Sequence, residues 1–141
     1  MTYPVAQLLT SSSFHPVRTD LAENAIKAAL QDFTITTVDA AQIHEFIAEL
    51  RSCKNISTGR ANKLTFTLVG WRRFIGPFSS NTIGDLYAAI PELRNAKSSR
   101  EKPFKQNTIS DFIAILKQFY LWMIENKYSP LTESKIHKLR T

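Results

Sequence analysis

The stretch FIAILKQFYLWMI, Phe112 to Ile124, carries one charge, Lys117, in thirteen residues. A chain cannot leave so much apolar surface in water, so its fold has to be organised around this segment. As a helix rising about 1.5 Å per residue it would span about 20 Å, short of the roughly 30 Å of hydrocarbon in a bilayer. It is therefore read as a core helix or a partner-binding surface. At about 100° per residue, Ile109, Phe112, Ile113, Leu116, Phe119, Tyr120, Met123 and Ile124 fill about 140° of arc, and Ile115 and Trp122 widen it to about 200°. Asn107, Ser110, Asp111, Ala114, Lys117, Gln118 and Glu125, interrupted by Leu121, form the opposite strip. The pattern predicts a helix wrapped by neighbours on more than half its circumference and polar on the rest.

Elsewhere apolar residues recur at three- and four-residue spacing and almost nothing alternates, which predicts an all-α chain. Leu21, Ala25, Ile26, Ala29, Leu30 and Phe33 mark a first helix, and Ile43, Phe46, Ile47 and Leu50 a second, starting at Asp39 and ending near Cys53. The β-branched run TITTV, Thr34 to Val38, is read as a connector. A third helix is expected from Ser57 or Thr58 to Ile75, before Gly76-Pro77, with Leu64, Leu68, Trp71 and Ile75 buried. Gly70 in its middle marks either a close approach of another backbone or tolerated weakness. Thr82 caps a fourth helix carrying Ile83, Leu86, Tyr87 and Ile90, which Pro91 is expected to break or kink. A basic loop, Arg94 to Asn107, precedes the central helix, capped by Asn107 or Thr108. Ser129-Pro130 closes that helix, and Thr132 starts a short basic one.

The formal net charge of +6 is unevenly spread: residues 1–56 hold four basic and six acidic side chains, residues 57–141 fourteen and six. That asymmetry fits a polyanionic partner, and equally an ordinary basic surface. The N-terminus has no basic start, sustained apolar segment or small-residue cleavage site, so a cytoplasmic chain is expected. Cys53 has no partner for an internal disulfide, and His15, His44 and His137 lie apart, so neither metal nor cofactor is expected. HKLR, His137 to Arg140, has an H-x-x-R spacing but no nucleophile beside it. No Gly-rich phosphate loop, G-x-S-x-G or H-E-x-x-H occurs, so the chain is not read as an enzyme.

Two helix starts instead combine basic and amide side chains with free backbone N–H groups, where phosphates bind readily. In NISTGRANK, Thr58 stands at the start, and Arg60, Lys63 and Thr67 recur at three and four residues; in PFKQNTISD, Lys105, Gln106, Asn107, Ser110 and Lys117 follow the polar strip. Lys and Arg serve the phosphate backbone, Gln and Asn can read an adenine edge, and the small Ser110 and Ala114 would admit a groove closely. Ordinary caps with solvated neighbours would look the same.

A helix opened by IST and containing FTLVGWRRFI, then TIGDLYAAIPEL, a basic loop, NTISDFIAILKQFYLWMIENKYSP and a basic tail resembles, over about residues 40 to 135, the N-terminal core-binding domain of tyrosine recombinases of the phage-integrase type. The matching positions are Thr58, Trp71 to Phe74, Asp85-Leu86, Thr108, Phe119-Tyr120 with Trp122, and Ser129-Pro130. Heavy Trp and Phe usage and the long N-terminus look more like archaeal members. The resemblance implies a four- to five-helix SAM-like bundle, here with an extra N-terminal helix, lying on one side of a DNA duplex. The helices starting at Ser57 and Asn107 would face the major groove, and the protein could form a homo-oligomer on DNA. It also implies a C-terminal catalytic domain of the same protein, carrying the nucleophilic tyrosine, beyond Thr141; Tyr3, Tyr87, Tyr120 and Tyr128 are not that residue. The expected division is an extension over 1–35, a core-binding domain over 36–130 and a basic linker over 131–141. The rival readings are a helical protein-interaction domain docking through the apolar helix, and a helix-turn-helix regulator. The connection FIGPFSSNT is long for the latter.

Overall fold

A computed structural model of the protein describes residues 20–98 and 100–140. Six α-helices form an all-α bundle in it: α1 (Leu21–Gln31), α2 (Thr37–Cys53), α3 (Thr58–Trp71), α4 (Ile83–Asn95), α5 (Gln106–Glu125) and α6 (Glu133–Ile136). Two of them start on reciprocal caps. The Thr36 hydroxyl accepts from Asp39 N while the Asp39 carboxylate accepts from Thr36 N, and Thr82 and Asp85 repeat the arrangement at α4. α2 thus begins two residues before the expected Asp39, because Asp39 serves as the third helical residue rather than the cap. α3 is capped as expected by the Ser57 hydroxyl, which accepts from Arg60 N at 3.1 Å.

α5 is the centre of the packing. Its Ile109, Ile113, Ile115, Leu116, Phe119, Tyr120, Trp122 and Met123 are buried, whereas Ala114, Gln118 and Glu125 are exposed. It packs against α3, α4 and α6, while α1 lies across α2 and α3. The ring of Phe119 touches those of Phe46 from α2 and Phe78 from the 3-10 turn Phe78–Ser80, at centroid distances of 5.2 and 4.9 Å. Gly70 lets the Phe112 ring lie against α3, since a Cβ there would sit 3.3 Å from Phe112 Cζ. The close neighbour is a side chain, not another backbone.

Two buried polar residues fasten the long α3–α4 connection. Asn81 accepts from Gly76 N and donates to the carbonyls of Gly76 and Pro77, all at 2.9 Å, and to the Tyr120 hydroxyl at 3.0 Å. Tyr120 in turn donates to Phe78 O at 2.7 Å. Asp39, 1 % exposed, accepts from Phe78 N at 3.0 Å, and its other oxygen stands 3.2 Å from Arg72 Nε. Arg72 also donates to Thr34 O at 2.6 Å, tying the α1–α2 corner to the end of α3.

Burial raises the Tyr120 phenol well above its ordinary value, outweighing the opposing hydrogen bond from Asn81. A folded pKa above the unfolded one gives stability that is full below the unfolded value, near 10, and falls as pH rises past it. Chemical denaturation is therefore expected to need less urea at pH 11 than at pH 9, and Tyr120→Phe to flatten that dependence.

Several sequence expectations give way. Phe33 does not join the α1 stripe; it turns out at φ 63° and is 89 % exposed. Of the two outcomes expected at Pro91, a break does not occur: α4 runs through it to Asn95. α5 is capped neither by Asn107 nor by Thr108: its cap position is Lys105, whose side chain makes no capping bond. The segment read as a basic linker packs onto the bundle through Ile136 and Leu139, 0 and 2 % exposed. Of the N-terminal extension, residues 20–35 supply packing helix α1, and residues 1–19 lie outside the described residues.

Candidate nucleic-acid interface

α3 and α5 meet at the start of α5. Lys63 Nζ donates to Asp111 Oδ2 at 2.6 Å, and Trp71 Nε1 donates to Phe112 O at 2.8 Å. This sets the solvent side of α3 beside the first turns of α5. Lys105, Gln106 and Asn107 are exposed there, and Ser110 is half-buried. Because no side chain caps α5, its first-turn N–H groups point outward from a positively polarised helix end.

The loop before α5 is folded, not slack. Lys97 pairs with Pro103 in an antiparallel bridge, Ser98 N donates to Lys102 O at 2.7 Å, and Glu101 turns the chain at φ 60°. This places Lys97, Arg100 and Lys102, all exposed, on one small projection next to Lys105. Among the described residues, none of these cations, nor Arg60, lies in an ion pair with a carboxylate. Their charge is available to an outside anion.

The remaining predicted residues divide. Thr58 faces away from α5, its hydroxyl accepting from Arg51 of α2 at 3.3 Å. Thr67 is 5 % exposed and cannot touch a ligand: α1, α2 and α5 all pack on α3, leaving only a narrow outer strip. Arg60 and Lys63 lie on that strip, exposed, although Lys63 shares its charge with Asp111. Lys117 is half-buried and is not a free cation. Its ammonium donates to His137 O at 3.3 Å and Leu139 O at 3.0 Å, so the returning chain covers that end of the α5 strip.

That return was not legible, and it brings Arg140 beside Ser110, Ala114 and Lys117 around a shallow recess. Arg94 of α4 holds the same segment by donating to Arg140 O at 3.2 Å. Arg73 is a second cation missed by the sequence reading, although the WRRF run could have suggested it. Among the described residues no group of His, Cys, Asp and Glu could hold a metal, and no helix is long and apolar enough to cross a membrane. No family model, curated protein or solved structure matches the chain.

Proposed function

We propose that this chain is a duplex-DNA-binding domain that binds through the outer strip of α3, the start of α5 and the folded basic loop between α4 and α5. The observation that carries the reading is the start of α5, which no side chain caps and where exposed Lys105, Gln106 and Asn107 stand beside cations that have no carboxylate partner among the described residues. Arg60, Lys97, Arg100, Lys102 and Lys105 would hold phosphates, the α5 amides one more, and Gln106 and Asn107 would meet base edges. The order of motifs supports a narrower role: a SAM-like, core-binding DNA clamp of a tyrosine recombinase, working in the cytoplasm. In that role strand cleavage belongs to a separate catalytic domain. The apolar arc of α5 is spent on the core, so a protein partner docking on that arc would have to open the bundle.

An anisotropy titration of a labelled duplex at several salt concentrations tests this. With roughly five phosphates neutralised by these cations, a fourfold rise in salt weakens binding by nearly three decades, about 2.7. Replacing Arg60 and Lys105 together by alanine lowers the salt slope by about two and weakens binding similarly for unrelated sequences. Absence of salt-sensitive binding at low ionic strength would refute the proposal.

A further inference from the structure

Beside the cations that would hold phosphates, the outer strip of α3 also carries an aromatic ring that has no phosphate or base-edge role in that reading. On α3, Lys63, Phe66 and Gly70 follow one another at three and four residues and so share a stripe. Both ends of that stripe reach the start of α5, through the Lys63–Asp111 pair and the packing of Phe112 on Gly70. Phe66 sits between them and is 43 % exposed. Just beyond, the Arg73 guanidinium lies 4.9 Å from the ring centre of Phe74 and 5.9 Å from that of Phe104, and Phe104 meets Phe112 at 5.9 Å. Phe74, Phe104 and Phe112 are each half-buried, and the exposed Arg73 lies over the first two.

Phe74, Phe104 and Phe112 also pack against the core on their inner side, whereas Phe66 and the Arg73 guanidinium lie outside it. Phe66 is 43 % exposed, and the Arg73 guanidinium, which donates to Lys97 O at 3.4 Å, lies against rings and, among the described residues, pairs with no carboxylate. Rings set among cations are the arrangement that binds unpaired nucleic acid: each base stacks on an aromatic or guanidinium plane while nearby lysines and arginines hold the phosphates. A paired duplex cannot use such a platform, because its bases are already stacked on one another. The positive charge around the rings argues for an anionic occupant over an apolar protein face.

We propose that Phe66 and the Arg73-covered rings form a stacking platform for unpaired DNA bases, engaged when a bound duplex opens locally. The proposal rests on the duplex-binding reading and adds the state of DNA that the domain prefers. The test compares three labelled probes at one salt concentration: a paired duplex, the same duplex with a short central mismatch bubble, and its single strand. The bubble is expected to bind roughly five- to 150-fold tighter than the paired duplex, the range set by stacking of one base. Phe66→Leu keeps apolar bulk but has no ring, and should remove that preference while paired-duplex affinity stays within about twofold; Phe66→Trp should keep it. Circular dichroism checks that the variants fold. Equal affinity of the wild type for bubble and duplex overturns the platform alone, as does a preference that survives in Phe66→Leu. Binding to bubble and single strand but not to paired duplex supports the platform and overturns the duplex reading, and binding to none of the probes overturns both.

Discussion

Replacing Phe119 by alanine is expected to cost about 3–5 kcal/mol of folding stability, read as a loss of urea midpoint at unchanged slope. The ring is 0 % exposed and is the meeting point of three elements, touching Phe46 of α2, Phe78 of the 3-10 turn, and Tyr120 and Trp122 of α5 itself. Deletion removes its transfer energy and leaves a cavity that four aromatic neighbours cannot easily fill. Below its melting transition the variant should still bind DNA, because Phe119 lies on the arc opposite Ser110 and Ala114. A stable Phe119→Ala protein with lost DNA binding would mean that α5 presents the wrong face to solvent in this account.

Asp39→Ala is expected to be comparably damaging, about 3–5 kcal/mol, for a different reason. The carboxylate caps the start of α2, accepts the buried Phe78 N–H and stands beside Arg72, whose side chain is 11 % exposed. Removing it strands a buried donor and a largely buried cation at once. Asp39→Asn retains an oxygen acceptor and should lose less. If Asp39→Ala shifted stability by only about 0.5 kcal/mol, as exposed substitutions do, the α2 start and the α3–α4 connection would not depend on this residue.

How much was legible depended on whether the cause was local. The central helix, its buried arc and the Ser57 and Thr82 caps follow from periodicity and from a hydroxyl beside free N–H groups, all contained in a few residues. The start of α2 was misplaced because Asp and Thr can each serve as cap or as partner, and only their pairing decides. Thr67 was placed outside because Arg60 and Lys63 share its spacing. Its burial comes from α1, α2 and α5 closing on α3, which no spacing within α3 can announce. Lys117 is held by main-chain carbonyls of residues 137 and 139, acceptors that every residue carries and that leave no mark in sequence. The aromatic surface around Arg73 was likewise invisible, because it joins the end of α3 to Phe104 in a loop and Phe112 in a helix, both far along the chain.

The orientation of the bundle on DNA is tested most directly by amide chemical-shift mapping during titration with a short duplex. The largest perturbations are expected on Arg60, Lys63, residues 97–98 and 100–102, and Lys105 to Ser110, with little change in α1 or along the α2 face. Perturbations concentrated on α1 and α2, with the start of α5 unmoved, would contradict that orientation.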